Sequence, residues 1–168
     1  MPERTGFKII IDENQAALLR YAERLLNDEI LAQDAVQVAF IKYFRNKPEK
    51  IKNTRAWLFK ILRNHCFNIL RKQKNKAEIM LDETTAKTYK HSDSPDRSLI
   101  NAESSAIVRQ SINKLKPRHK EVIVLKLEHG KSYKEIAEIL DITVSNVGFI
   151  LHSAMNELKT DLREALSR

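Results

Sequence analysis

The sequence predicts an all-α protein with two small helical domains joined by a flexible linker, the second a helix-turn-helix domain. The chain has 168 residues but only 3 Gly and 4 Pro, which disfavours turn-rich β folds. Apolar residues recur at helical spacing on either side of a polar stretch that lacks any such period. We therefore expect the first domain at residues 1–75, the linker at 76–105 and the second domain at 106–168.

Three helices are predicted in the first domain. Asp12 favours the N-terminus of helix one, because a carboxylate stabilises the positive end of the helix dipole. Ile30 begins the apolar pattern of helix two, which ends before Pro48. Thr54 is expected to cap helix three, whose buried stripe indicates a helix that extends to about Gln73.

The second domain shows four shorter helical patterns. Pro117 fits the first position of the second of these helices, and Gly130 ends that helix. Ser132 and Glu135 have the spacing of a capping box before the third helix. Thr143 is expected to cap the last helix.

Residues 133–152 have the pattern of a helix-turn-helix, for which a generic helical hairpin is the alternative. Asp141 occupies the turn and tolerates left-handed geometry. The second helix would place its first residues in a major groove, and the candidate base readers are Ser145, Asn146 and Phe149. Asn can bind adenine through two hydrogen bonds.

Positive charge is concentrated in one stretch of the first domain. The chain has a formal net charge of +8, and residues 42–74 contain 11 Lys or Arg but a single acid, Glu49. Such a concentration of positive charge favours binding to nucleic acid, because contacts to phosphates release counterions. The interleaved aromatic residues could stack on unpaired bases: Trp57, Phe59, His65 and Phe67. The alternative is that the aromatic side chains form the core and the lysines only solubilise the helix.

The sequence contains no pattern that indicates catalysis or metal binding. Cys66 is the single cysteine, so it is expected to be an inert packed thiol in a reducing compartment. The histidines lack metal-ligand spacing, and no phosphate-binding or nucleophile motif is present. We therefore expect a cytoplasmic protein that is not an enzyme, needs no metal or other cofactor, and does not insert into a membrane.

Two runs of sequence resemble a known family. Residues 53–64 read N-T-R-A-W-L-F-K-I-L-R-N, and the second domain contains L-K-P-R-H-K-E-V at 115–122 followed by S-Y-K-E-I-A-E-I-L at 132–140. Their order and spacing are similar to those of the bacterial RNA polymerase sigma factors of the extracytoplasmic-function (ECF) type. The resemblance covers about 12–73 and 106–163.

This resemblance implies a transcription initiation factor that binds core RNA polymerase, recognises promoter DNA and is held by an anti-sigma factor. Helix two would bind polymerase with Asp34, Gln37 and Phe40. The loop over 46–53 would capture a flipped base, and the −10 element would be melted by Asn53, Arg55, Trp57, Lys60, Arg63, Asn64, Asn68 and Arg71. The −35 element would be read by Lys134, Ser145, Asn146, Phe149 and His152.

This chain departs from the family pattern in two places. Val38 replaces an acid in the polymerase-binding motif, and Gly148, Phe149 and Ile150 replace a run with two cationic residues in the recognition helix. A helix-turn-helix regulator that works without polymerase is the competing function, although it leaves the basic helix unused. A third alternative is a decoy that holds a partner without productive DNA binding.

Overall fold

The computed structural model describes residues 2–46, 48–81 and 99–167. These residues contain seven α-helices and no strand. In chain order, the helices are α1 (Pro2–Leu26), α2 (Glu29–Arg45), α3 (Thr54–Leu81), α4 (Leu99–Lys114), α5 (Pro117–Ile123), α6 (Tyr133–Leu140) and α7 (Val144–Leu166). A 3₁₀ turn (Pro48–Lys50) precedes α3, and a π-helical segment (Val124–Glu128) follows α5. The predicted all-α class is confirmed.

The chain divides into two compact units, residues 1–92 and 93–168. In the first unit, α1, α2 and α3 pack against one another. The side chains of Ala32, Ala35 and Ala39 are fully buried on α2, which lets neighbouring helices approach closely. Tyr21 of α1 meets Phe59 of α3 with ring centroids 5.1 Å apart, so these two aromatic rings fill the centre of the unit.

Helix ends in the first unit differ from the sequence expectation. α1 begins at Pro2 rather than near Asp12, and α3 continues to Leu81 rather than ending near Gln73. No Pro or Gly interrupts residues 74–81, and the Lys74 and Glu78 side chains lie 3.9 Å apart at helical i,i+4 spacing. The predicted linker thus has helix at both ends, over 76–81 and 99–105, while its middle, 82–98, lies outside the described residues.

The cap of α3 is also different. Asn53, not Thr54, is the residue before the helix, and its Oδ1 accepts a hydrogen bond from the Ala56 backbone N–H at 3.0 Å. The Thr54 hydroxyl instead lies 3.2 Å from the hydroxyl of Tyr43. The cap on α2 is Asp28, whose carboxylate accepts from the Leu31 N–H at 2.9 Å.

In the second unit, α7 packs against α4, α5 and α6. The core contains Val122, Ile123, Leu125, Ile136 and Val147, all fully buried. Lys114 of α4 donates to the Asp161 carboxylate of α7 at 2.9 Å. Hydrogen bonds from Ser111 and then Lys114 lower the pKa of Asp161, so this contact between helices holds a charged carboxylate at neutral pH.

Several local predictions for this unit are confirmed. Pro117 lies in the first turn of α5, and Gly130 has a φ of +59°, the left-handed geometry that ends a helix. No single helix among the described residues is long and apolar enough to cross a membrane. By the same criteria of length and composition, α6 and α7 pass only as a pair that is bent by 101°.

Candidate nucleic-acid and partner interfaces

One face of α3 combines amide and cationic side chains. At about 100° per residue, Trp57, Lys60, Asn64, Asn68 and Arg71 share a stripe that we call the α3 face. The last three side chains are exposed and the first two are half-buried. The stripe lies opposite the buried residues Leu58, Leu62 and Cys66, so the packing of α3 directs these five side chains away from the core.

Two contacts order the side chains around this face. Arg71 donates to Asn68 Oδ1 at 3.0 Å, and the Arg63 guanidinium lies 4.6 Å from the centroid of the Phe67 ring. Arg63 is therefore held at the edge of the stripe. No Asp or Glu occurs from Lys50 to Ala77, so the first six turns of α3 carry no carboxylate.

The aromatic residues of α3 differ in their access to solvent. Trp57 is half-buried and meets Tyr43 edge-on, with centroids 5.7 Å apart. Phe67 is 37% exposed, whereas Phe59 is fully buried and cannot stack on a base. Of the predicted stacking residues, Phe59 is therefore a core residue, and Trp57 and Phe67 retain accessible ring surface.

The structure does not bring Arg55 to the α3 face. Residues two apart on a helix point to nearly opposite sides, and the Arg55 Nε donates to Asn14 Oδ1 on α1 at 3.4 Å. Asn53 lies at the start of the helix, where its side-chain Oδ1 accepts the capping hydrogen bond from Ala56 N–H. The helical period alone predicts that Arg55 and Trp57 lie on opposite sides of α3.

Two titratable groups on α3 are shifted by their surroundings. Cys66 is buried, as expected for a packed thiol, and burial raises the pKa of this thiol to about 12. Burial, followed by the charges of Lys42 and Lys72, lowers the pKa of His65. The His65 ring is consequently neutral at physiological pH.

The outer face of α2 carries exposed apolar side chains beside polar ones. Ile30, Asp34, Gln37 and Ile41 share one stripe, which we call the α2 face. Ile30 is 73% exposed and Ile41 is 49% exposed, so Ile30, which begins the apolar pattern of helix two, does not belong to its buried side. The helical spacing of Ile30, Asp34 and Gln37 already places Ile30 on the same side of the helix as these two polar residues.

Of the three predicted polymerase-binding residues, only two lie on the α2 face. Asp34 and Gln37 are exposed, whereas Phe40 is 7% exposed and stacks on Phe44 with centroids 6.4 Å apart. Phe44 also contacts Phe7 of α1 at 4.4 Å between centroids. Phe40 therefore anchors α2 to the unit and contributes little accessible surface.

The second unit has helix-turn-helix geometry. The axes of α6 and α7 are bent by 101°, within the range of about 90–120° for this motif. Asp141 has φ 55° and ψ 50°, and the Ile142 N–H closes the turn on the Ala137 carbonyl at 3.0 Å. The capping box of Ser132 and Glu135 is confirmed by both of its hydrogen bonds, at 2.9 and 3.1 Å.

The exposed side of α7 begins directly after its cap. The Thr143 hydroxyl accepts from the Asn146 N–H at 3.1 Å, as predicted for the cap. Ser145, Asn146, Phe149 and His152 share one face, which we call the α7 face. Their side chains are exposed because Val147, Ile150, Leu151 and Ala154, on the opposite side, are buried.

Two further polar groups lie beside these readers. Asn156 continues the α7 face, and its Nδ2 lies 3.3 Å from His152 Nε2. Lys134 is exposed on α6 rather than on α7. Nearby, the Lys126 ammonium is 5.4 Å from the centroid of the Tyr133 ring. Across residues 2–46, 48–81 and 99–167, no cluster of His, Cys, Asp and Glu has the arrangement of a metal site.

A basic helical unit and a helix-turn-helix unit in one chain are features of DNA-binding transcription proteins. The family model Sigma-70 region 2 matches residues 10–76, and the model Sigma-70, region 4 matches residues 105–158. ECF RNA polymerase sigma factor SigW from Bacillus subtilis is 30% identical over 96% of this chain and 91% of its own length. SigL from Mycobacterium tuberculosis is also 30% identical, over 96% of this chain and 92% of its own.

The fold agrees with these matches. Sigma factor RpoE from Bartonella quintana, solved in complex with the anti-sigma factor NepR, superposes with a TM-score of 0.71 at 22% identity. The superposition covers 96% of this chain and 97% of that one. The chain therefore belongs to the ECF sigma factors of the sigma-70 family, which direct RNA polymerase to promoters.

Proposed function

We propose that this sigma factor binds core RNA polymerase with the α2 face, opens the −10 region with the α3 face and reads the −35 duplex with the α7 face. It acts in the cytoplasm and supplies no catalytic chemistry of its own. The observation that carries the proposal is the α3 face, which joins cations and exposed amides to a helix without any acid over its first six turns.

Strand opening explains the chemistry of the α3 face better than duplex binding alone. Unstacking a base costs a few kcal/mol, and stacking on an aromatic side chain recovers about 1–3 kcal/mol per base. Trp57 and Phe67 offer ring surface for such stacking, while Lys60 and Arg71 can neutralise phosphates of the opened strand. Asn64 and Asn68 offer amide groups that can hydrogen-bond to exposed base edges.

Polymerase binding is assigned to the α2 face because of its composition. Two isoleucines flank Asp34 and Gln37 on a helix that already buries its opposite side in the unit. An apolar pair around polar groups is the arrangement of a protein interface, where apolar anchors exclude water from the polar contacts. Asp34, Gln37 and Phe40 were predicted here from the family resemblance, and Ile30 and Ile41 join the proposed contact.

A double variant tests this assignment. Asp34→Ala with Gln37→Ala should weaken binding to core polymerase at least ten-fold, about 1.4 kcal/mol, while thermal unfolding stays the same. The matched control is Glu13→Ala with Gln15→Ala, an exposed acid and amide on α1. Equal affinity for core enzyme in the test and control variants would remove the α2 face from the proposal.

We also propose that an anti-sigma factor covers part of the first unit when the protein is inactive. The Bartonella quintana sigma factor was solved in complex with such a protein, which supports the same regulation for this chain. The exposed Ile30 and Ile41 supply apolar surface for one. Purification from resting cells should recover the chain with a stoichiometric partner, and recovery of only the free chain or the polymerase complex would contradict this regulation.

Base contacts in the −35 element are assigned to Ser145, Asn146, Phe149 and His152. Lys134 is assigned to the neighbouring DNA phosphates. In a helix-turn-helix, the second helix enters the major groove and the first crosses the phosphates. The 101° bend and the exposed α7 face support this placement. A regulator that acts without polymerase would use the same unit, but it would bind its duplex equally well when core enzyme is absent.

A further inference from the structure

The helix-turn-helix of this chain has an acidic charge balance. From Glu135 to Leu158 there is no Lys or Arg, while four acids are present: Glu135, Glu138, Asp141 and Glu157. Apart from Arg109, Lys159 and Arg163, the cations in the described part of the unit lie in residues 114–134. Phosphate attraction is therefore supplied mainly by segments outside the α7 face, whose four side chains include no Lys or Arg.

This composition limits which bases α7 can distinguish. The commonest specific contact to guanine is made by Arg or Lys, which donate to its O6 and N7 together. The α7 face offers no such cation. Asn146, exposed in the first turn, carries an amide that can pair with adenine N6 and N7.

Phe149 supplies a second, independent observation. Its side chain is 75% exposed, although α7 has a well-formed buried side with Val147 and Ile150. It lies one turn after Ser145 and Asn146 and one turn before His152, at the centre of the α7 face. The apolar group that a major groove presents to such a ring is the C5-methyl group of thymine.

We propose that α7 reads an upstream element centred on A·T base pairs, with Phe149 against a thymine methyl group and Asn146 on an adjacent adenine. The inference rests on the proposed duplex reading by the second unit and names the class of sequence that this unit takes. Phe149 is the specificity-determining residue, because the amide and hydroxyl groups beside it cannot select the methyl group.

The test uses holoenzyme reconstituted from core polymerase and the full chain. Binding to promoters with a randomised upstream duplex, followed by sequencing, should enrich A·T pairs there. Each enriched thymine is then replaced by deoxyuridine, which removes only the methyl group. At one position this should weaken binding by wild-type holoenzyme about four-fold, the change expected for one buried methyl.

Phe149→Ala should bind the thymine and deoxyuridine promoters equally. Because Phe149 is exposed, this variant should unfold at the wild-type temperature. Leu166→Ala is the matched control, since Leu166 is 74% exposed near the end of the same helix, and it should keep the four-fold loss. Inserting 5-methylcytosine at the sensitive position in place of cytosine should restore part of the affinity for wild type only.

Two results overturn the inference and separate it from the proposed function. An upstream preference for G·C pairs, or an equal deoxyuridine effect in wild type and Phe149→Ala, would contradict the A·T reading while leaving duplex reading intact. An absence of any upstream preference, in a holoenzyme that still opens promoters, would contradict duplex reading by the second unit and the inference together.

Discussion

Replacement of Asn53 by alanine should destabilise the first unit by about 1 kcal/mol. The Asn53 side chain accepts from the backbone N–H of Ala56 at 3.0 Å, and Ala56 is fully buried. Without this acceptor, the Ala56 N–H in the first turn of α3 would lack a hydrogen-bond partner, and water cannot readily take its place. Asn53→Asp keeps an acceptor at the same place and should retain wild-type stability.

The measurement is urea unfolding followed by tryptophan fluorescence. Trp57 is the single tryptophan and lies at the start of α3, so the signal reports the first unit alone. Asn64→Ala is the matched control, because Asn64 is exposed on the same helix and its loss should cost less than about 0.5 kcal/mol. Equal losses in Asn53→Ala and Asn64→Ala would refute the assignment of Asn53 as the cap.

Three further predictions follow from local geometry and charge. Gly148→Ala should stabilise the second unit by about 0.5–1 kcal/mol in thermal unfolding, since the new Cβ would meet Tyr133 at an ordinary 3.6 Å. Gly130→Ala should destabilise the same unit by about 1 kcal/mol, because Gly130 has a φ of +59°. The lowered pKa of His65 means that the folded state resists protonation. Stability from this source is therefore present above pH 6.5 and lost as the pH falls below it, and urea unfolding across that range should show a smaller loss in His65→Gln. Lys60→Ala with Arg71→Ala should reduce the salt dependence of single-strand binding by holoenzyme by about 0.7 for each phosphate that is no longer neutralised, and an unchanged slope would remove both cations from the proposed DNA interface.

Local signals in the second unit were sufficient to predict its helix caps and its turn residue. The capping box, the Thr143 cap and the left-handed Asp141 each depend on residues within one turn of one another, so the sequence contains all the participants. The helix-turn-helix followed from these signals together with the apolar spacing. What the sequence could not supply was the 101° bend itself, which depends on how α6 and α7 pack.

The first unit was less predictable, because several of its features depend on which of two competing contacts a side chain makes. Asn53 and Thr54 are both residue types that cap helices well. In the structure Asn53 is the cap, and the Thr54 hydroxyl instead contacts the hydroxyl of Tyr43, which is distant in sequence. The end of α3 was missed because its apolar stripe fades before the helix does, and residues 74–81 are helix formers without a core to face.

The candidate site was predicted in part. The basic residues of α3 were found by composition and its amide residues by the family resemblance, but neither could tell that Arg55 points to α1 or that Phe59 is fully buried. On α2, Asp34 and Gln37 were expected at the surface, and Ile30 and Ile41 were missed because an apolar residue in a helical pattern is most often buried. Exposure of both is visible only once α2 is packed.

Open-complex formation on a double-stranded promoter tests the central claim most directly. Core polymerase, the full chain and duplex promoter DNA are combined, and permanganate reactivity of thymines in the −10 region is measured. We expect reactive thymines only when polymerase and chain are both present, with loss of reactivity in the Asp34→Ala, Gln37→Ala double variant. Opening by core polymerase without the chain, or duplex binding by the chain alone that polymerase does not alter, would contradict it.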